Sequence, residues 1–316
     1  MSKLKRFIYP PTGIEHYGEI IDSKDNFDVI ECKTCGFKHV IPIPTPEELN
    51  MLYKEEFYST EKPTYFKSTE EDLEWWELTY RNYYQLFDKY CTKKDRKLLE
   101  IGPGPGYFLK CGKELGWDVL GFEPSKQAYE YSKKLGVKVI NKFFDKKSIK
   151  EYGEFNVIYM NTVIEHLPDP ISIIKKAKNI LKSKGIICII SPNDYNPLQN
   201  ILRNNLGYKP WWVAPPQHIN YFDFGSIKKL LERFGFKIVE SVGTFPMEFF
   251  LLSGDNYVGN DKLGRSCHFK RKRFEENMYK YKKECLNSIY KFLANNSIGR
   301  EFVIVGKVKE NVIKEM

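Results

Sequence analysis

The chain has 316 residues, 42% hydrophobic and 15% aromatic, enough apolar material for one large domain with a small appendage, which argues against disorder. A formal net charge of +9 permits an anionic small molecule or nucleic acid as partner and requires neither. No apolar run reaches the roughly 18 residues of a membrane helix, no long apolar region follows the basic start Met1–Arg6, and seven scattered cysteines fit reduced thiols in a cytoplasm better than a disulfide framework.

Residues 1–60 read as a small module and linker. Asp28–Val40 suggests two short strands around the turn Cys32-Lys33-Thr34-Cys35, and Ile41-Pro42-Ile43-Pro44-Thr45-Pro46 a stiff connector. Thr45 or Pro46 opens a short helix with Glu47 and Glu48 in its first turn. Cys32, Cys35 and His39, with His16 upstream, are the residue types of a tetrahedral zinc set; a ribbon that keeps its shape without metal is the other reading.

Residues 61–316 read as the main domain. A helix over about Glu70 to Lys89 carries Leu73, Trp76, Tyr80, Tyr83, Tyr84 and Phe87 at helical spacing, a face suited to covering a sheet edge or cleft. From Lys97 the pattern alternates, with strands near 97–101, 118–122, 137–140, 156–160 and 186–191. Asp169 caps a helix that Pro170 opens, with Ile173, Ile174, Ala177, Ile180 and Leu181 as its buried stripe and Gly185 as its stop. Another helix turns Ile227, Leu230, Leu231 and Phe234 inward and ends at Gly235. Strand Phe236–Val242 follows, and Phe302–Val308 returns antiparallel beside it. The expectation is a doubly wound α/β fold with a mostly parallel seven-stranded sheet and a helical insertion over about 245–300. That insertion is polar at Asp255, Asn256, Tyr257 and His268 beside the apolar run Phe249–Leu252, and a long helix over about Phe269 to Leu293 completes it.

The chemistry starts at Leu98-Leu99-Glu100-Ile101-Gly102-Pro103-Gly104-Pro105-Gly106-Tyr107, a buried strand running into three glycines and then a helix. A pyrophosphate site needs several backbone N–H groups, and Pro103 and Pro105 have none. The glycine spacing also departs from G-x-G-x-x-G. The ligand expected there carries no phosphate, as S-adenosylmethionine does not. Trp117–Glu123 reads as the next strand, with Glu123 about 20 residues past the loop, where such folds place a ribose-binding carboxylate.

Those two motifs, with Asn161-x-x-x-Glu165-His166-Leu167-Pro168-Asp169-Pro170 and Gly185–Asn193, form an ordered set that resembles the class I S-adenosylmethionine-dependent methyltransferases over roughly residues 70 to 245. His218-Ile219-Asn220-Tyr221-Phe222 and the amphipathic helix after it resemble the small-molecule subgroup of ubiquinone-pathway and glycan enzymes. The resemblance implies that Glu100, Gly102, Gly104 and Gly106 hold the methionine end of the cofactor. It implies that Glu123, followed by Pro124, holds the ribose, and that Asn161 stands near the sulfonium. Phe143 or Phe144 falls where the adenine pocket lies. Thr162 stands where a further acid would help relatives hold a divalent metal. Sugar-modifying relatives carry a zinc module with two Cys-x-x-Cys knuckles, of which this chain has one.

His218 and His166, in loops at strand ends, are the candidate bases, with packing beneath the next helix as the plain alternative for His166. Asp255, Asn256, Tyr257 and His268 are the candidate acceptor contacts. The resulting expectation is a cytoplasmic enzyme that methylates a hydroxyl of a sugar or nucleotide-sugar, in polysaccharide or secondary-metabolite biosynthesis. An RNA methyltransferase with a zinc-type recognition module is the runner-up, although Asn161-Thr162-Val163-Ile164 lacks an amino-group motif of the Asn-Pro-Pro-Tyr kind. A non-catalytic cofactor-binding protein is the third reading.

Overall fold

Two sheets organise the chain, and a strand two residues long joins them. The computed structural model describes residues 3–51, 65–145 and 151–309. Its first four strands, β1 (Leu4–Tyr9), β2 (Ile14–Lys24), β3 (Phe27–Cys32) and β4 (Lys38–Ile41), form an antiparallel meander, twice the strand number expected for this region. Helix α1 (Pro46–Met51) follows, and the expected boundary at 60/61 lies outside the described residues. The single helix expected over 70–89 is two, α2 (Tyr65–Glu71) and α3 (Leu73–Phe87), broken at Asp72. Trp75 is buried there in place of Trp76, because its indole N–H donates to Glu275 Oε2 at 2.7 Å.

The alternating region supplies β5 (Lys97–Ile101), α4 (Tyr107–Glu114), β6 (Asp118–Phe122), α5 (Lys126–Lys134), β7 (Val139–Ile140), β8 (Phe155–Asn161), α6 (Pro170–Lys178) and β9 (Leu181–Pro192). Helix α6 stops earlier than its apolar stripe suggests, so Leu181 opens β9 and Gly185 lies inside that strand. A Cβ on Gly185 would stand 2.9 Å from the Lys182 carbonyl oxygen, and the register with β8 shifts nearby. Then come α7 (Pro197–Leu206), β10 (Asn220–Tyr221), α8 (Phe224–Arg233), β11 (Phe236–Gly243), α9 (Glu248–Leu252), α10 (Asp261–Asn295) and β12 (Glu301–Val308).

The large sheet has the order β11-β12-β9-β8-β5-β6-β7, parallel except for β12, which is antiparallel to both neighbours. Its central strands are apolar on both faces, as helix-covered parallel strands require. On one face Tyr84 of α3 stacks on Phe108 of α4 at 4.6 Å, and Phe108 stacks on Tyr159 of β8 at 4.0 Å. Helices α6 and α8 fill the other face with Ile174, Ala177, Ile227, Leu230 and Leu231. Helix α10 lies against α3, where Lys272 and Glu275 reach Asp72 and Trp75.

Strand β10 pairs with β4, Asn220 opposite His39 and Tyr221 opposite Lys38, and the Val40 N–H donates to the Ile219 carbonyl at 2.9 Å. The amino-terminal meander therefore shares a core with the main domain. Val29, Ile30, Val40 and Ile41 pack with Trp212, Val213, Ile219 and Tyr221. Arg203 of α7 closes the seam by forking onto Asp22 of β2 at 2.7 and 2.8 Å.

Candidate active site

The glycine loop is held by the protein's own groups. The Gly102 N–H donates to the Phe122 carbonyl at 2.9 Å and the Gly106 N–H to the Pro103 carbonyl at 3.0 Å. The Gly104 N–H, the one amide between the two prolines, donates to Glu123 Oε2 at 2.9 Å. All three amides are thus engaged, which agrees with a ligand that brings no phosphate to the loop. The glycines are needed for their backbone angles, φ of 72°, 54° and 87°, and for packing between elements. A Cβ on Gly102 would meet Val163 Cγ2 at 2.7 Å, and one on Gly106 would meet Ser132 Cβ at 2.9 Å.

Glu123 directly follows β6, with 5% of its surface exposed. Its Oε1 accepts from the Ser125 N–H at 2.9 Å, and burial pushes its carboxyl up to about 7 against that bond and the one from Gly104. Glu100, buried beneath the loop at the end of β5, is raised well above the usual carboxylate range by burial and by Glu123. Its Oε2 has no hydrogen-bond partner among the described residues.

Two cavities open at the carboxyl ends of the strands, where ligands bind in open α/β sheets. The first, about 460 Å³, is mainly apolar and is lined by Ile101, Phe122, Glu123, Pro124, Phe143 and Ile173 among others. Phe143 is 42% exposed there, whereas Phe144 is buried edge-on against Phe122 at 5.4 Å. The second, about 650 Å³, runs from Glu100, Gly104 and Asn161 to Gln199, His218 and Tyr257. Gly102, Thr162 and His166 line both. Gly106 lines neither, so of the four residues expected at the methionine end it alone acts through the turn.

Two histidines line the larger cavity, His166 where it meets the smaller one and His218 beside it. Their rings stand 5.0 Å apart and nearly perpendicular. His166 Nδ1 lies 2.7 Å from the Gln217 carbonyl oxygen, so this nitrogen carries the proton, and Nε2 faces Glu165 Oε1 at 3.7 Å. Around them are acids that sequence reasoning passed over. Glu165 accepts from the Ser191 hydroxyl at 2.9 Å, and burial pushes its carboxyl up to about 8. Asp194 is pushed up to about 8 by burial and by Glu248, against Arg300. Glu248 Oε1 accepts from Asn196 and Gln199 at 3.3 and 3.2 Å. Asp194 was signalled by its place just past the apolar run of β9, at a strand's carboxyl end. Glu248 gave no such signal.

The insertion contributes less than its polarity suggested. Tyr257 lines the cavity. Asp255 and Asn256 do not line it: Asp255 accepts from Lys270 at 3.1 Å on the outer side, and the exposed Asn256 accepts from the Val258 N–H at 3.2 Å. His268 also stays out, because its Nε2 is 2.9 Å from Asp72, whose carboxylate it shares with Arg265 and Lys272. A polar residue in an insertion is as well satisfied by its neighbours as by a ligand, and these three are.

The amino-terminal sheet brings His16, Cys32, Cys35 and His39 together, with their donor atoms all within 4.8 Å of one another. Bonds of about 2.0 Å to nitrogen and about 2.3 Å to sulfur give tetrahedral edges of about 3.3 Å between nitrogens and about 3.5 Å between nitrogen and sulfur. The structure has His16 Nδ1 3.1 Å from His39 Nε2, and 3.4 and 3.9 Å from the Cys35 and Cys32 sulfurs. His39 Nδ1 is 2.9 Å from the Val40 carbonyl, the outer contact that leaves the opposite ring nitrogen as a ligand atom. The donor set fits zinc.

Residues 75–241 match the family model of a methyltransferase domain. Over 104 residues the chain is 33% identical to the ubiquinone biosynthesis O-methyltransferase of Pelagibacter ubique, a match covering 32% of this chain and 43% of that protein. The chain spans less than half the length of the curated relatives it matches. Among solved structures, a SAM-dependent methyltransferase from Archaeoglobus fulgidus aligns with a TM-score of 0.50 at 19% identity, over 77% of this chain and 99% of that one. The plantazolicin methyltransferase BamL, solved with SAH, aligns with a TM-score of 0.50 at 16% identity, over 83% and 95%. At these identities the structural likeness shows the fold.

Proposed function

Because the chain belongs to the methyltransferase domain family, we propose that it transfers the methyl group of S-adenosylmethionine to a hydroxyl oxygen of a small polar acceptor. The observation that carries this reading is the pair of cavities meeting at Gly102, Thr162 and His166. One is apolar with a carboxylate for a ribose, and the other is polar with two histidines. Adenosine suits the first, with Phe143 and Pro124 beside the base and Glu123 on the ribose hydroxyls. The amino-acid end suits the second, over Glu100, Gly102 and Gly104, with Asn161 on its rim.

S-adenosylmethionine supplies, when bound, a methyl carbon on a sulfonium leaving group. The residues of this chain have then to place an acceptor oxygen in line with that carbon and to take its proton. His218 is the base in this reading, and His166, fixed through Gln217, holds the ring beside it. The similarity to the Pelagibacter O-methyltransferase supports oxygen as the methylated atom.

A sugar or another hydroxylated metabolite suits the polar cavity. A nucleotide-linked sugar suits it less well, since Glu165, Asp194, Glu248 and Glu301 stand against a diphosphate, with Arg300 the one lysine or arginine lining the cavity among the described residues. The same acids oppose an RNA backbone. Seven cysteines without a disulfide among the described residues support a reducing compartment, the cytoplasm. The second part of the proposal is a structural zinc ion on His16, Cys32, Cys35 and His39.

The test is transfer of a labelled methyl group onto sugars, phenols and RNA. With an acceptor in hand, His218→Ala lowers turnover by ~10²-fold or more while affinity for the demethylated cofactor barely moves, the split expected on losing a general base. Turnover that survives the substitution removes His218 from the mechanism, and transfer to RNA alone overturns the acceptor class.

A further inference from the structure

Within the larger cavity, the wall farthest from the glycine loop is short of positive charge. Asp194, Glu248 and Gln199 expose 4%, 2% and 4% of their surface, and all three line the cavity. Asp194 Oδ2, Glu248 Oε2 and Gln199 Oε1 have no hydrogen-bond partner among the described residues, nor does the Tyr257 hydroxyl. With the two acids ionised, three of these four atoms can only accept. Buried acceptors of this kind cost free energy unless a donor reaches them, and two carboxylates without a cation cost more.

The local charges do not cancel. Among the described residues the Glu248 carboxylate accepts from neutral amides, those of Asn196 and Gln199. Arg300 and the Gln199 side chain favour ionised Asp194, and burial together with Glu248 outweighs them. Asp72, on the same cavity, differs: Arg265 and Lys272 already pair with it. Trp211, Trp212 and Tyr257 line the cavity too, and aromatic rings beside carboxylates complete the usual surroundings of an organic cation.

We infer that the acceptor carries a protonated amine as well as its reacting hydroxyl, and that Asp194 and Glu248 bind the ammonium, with Gln199 and Tyr257 as further contacts. The inference rests on the methyl-transfer reading above and narrows its substrate class to amino alcohols and amino sugars. A fully neutral polyol brings no cation to favour the ionised forms of Asp194 and Glu248, and a phosphorylated acceptor adds a charge of their own sign. The ammonium is a handle here and does not react, so the substrate's orientation comes from the far end while the hydroxyl faces His218.

The test uses the full chain loaded with SAH and matched probes at neutral pH: glucosamine, N-acetylglucosamine and glucose, and ethanolamine with ethylene glycol. Binding is read by ligand-observed NMR titration. The amine of each set binds roughly tenfold to a hundredfold tighter than its uncharged partners, the scale of charge-assisted hydrogen bonds. Asp194→Asn and Glu248→Gln each remove that preference and leave SAH affinity in place. Equal binding within both sets by the wild-type protein overturns the inference without recourse to any variant. So does tighter binding of the acetylated sugar, or a preference that survives both substitutions. Failure of SAH itself to bind refutes the cofactor reading instead, and calorimetry on the unloaded protein tells the two apart.

Discussion

Glu123 shows how one side chain joins fold and ligand. Its carboxylate accepts from Gly104 and Ser125, so it shapes the glycine loop before any ribose arrives. Burial raises its pKa to about 7, which means that ionising it works against folding as pH rises from the usual carboxylate range to about 7, and levels off above. Ribose hydroxyls donate to the ionised form and favour it. Affinity for SAH therefore climbs with pH up to about 7 and then stays flat. Glu123→Gln weakens binding by roughly tenfold to a hundredfold and removes the climb. Calorimetry across that range decides it: a wild-type affinity that ignores pH, matched by the Gln variant, leaves Glu123 a purely structural residue. Glu123 was legible in the sequence because strand, glycines and acid have fixed spacing along the chain. Glu248 was not, since it comes from a separate segment and meets Asp194 only in space.

At the scale of elements, the informative one is the shortest. Strand β10 places Asn220 opposite His39, a proposed zinc ligand, two residues after His218. Loss of the proposed zinc should then be felt at His218, the proposed base, as well as at Cys32 and Cys35. Elemental analysis should find about one zinc per chain, reduced by Cys32→Ser or Cys35→Ser. Chelation should speed hydrogen exchange first at Cys32–His39, then at Ile219–Tyr221, before the parallel strands respond. Metal-free protein with the same protection would make the cluster a hydrogen-bonded ribbon and refute the zinc site. Period and caps revealed α6, α8 and the parallel strands. A two-residue strand has no period, so β10 was invisible, and the break between α2 and α3 was hidden because Asp72 is held from α10, about 200 residues away.

At the scale of the whole molecule, the amino-terminal sheet is part of the scaffold. Its Val29, Ile30, Val40 and Ile41 cover Trp212, Val213, Ile219 and Tyr221, and Arg203 locks onto Asp22. Deleting residues 1–44 uncovers that apolar wall beside the His218 loop. The truncated chain should lose its cooperative melting transition or aggregate, as followed by calorimetry and light scattering. A single sharp transition with unchanged SAH affinity would show instead that the sheet is an independent module. The sequence by itself determined the parallel α/β domain and the glycine loop with Glu123 after it, and it named the two histidines and the four residues proposed to hold zinc, because each is written in local spacing, periodicity and residue chemistry. Only the tertiary structure decided that the amino-terminal sheet shares the domain's core, that Asp255, Asn256 and His268 stay off the cavity, and that buried acids line its far wall. Those outcomes turn on which distant segments pack together and satisfy one another's polar groups, and nothing in the spacing of residues along a chain records that.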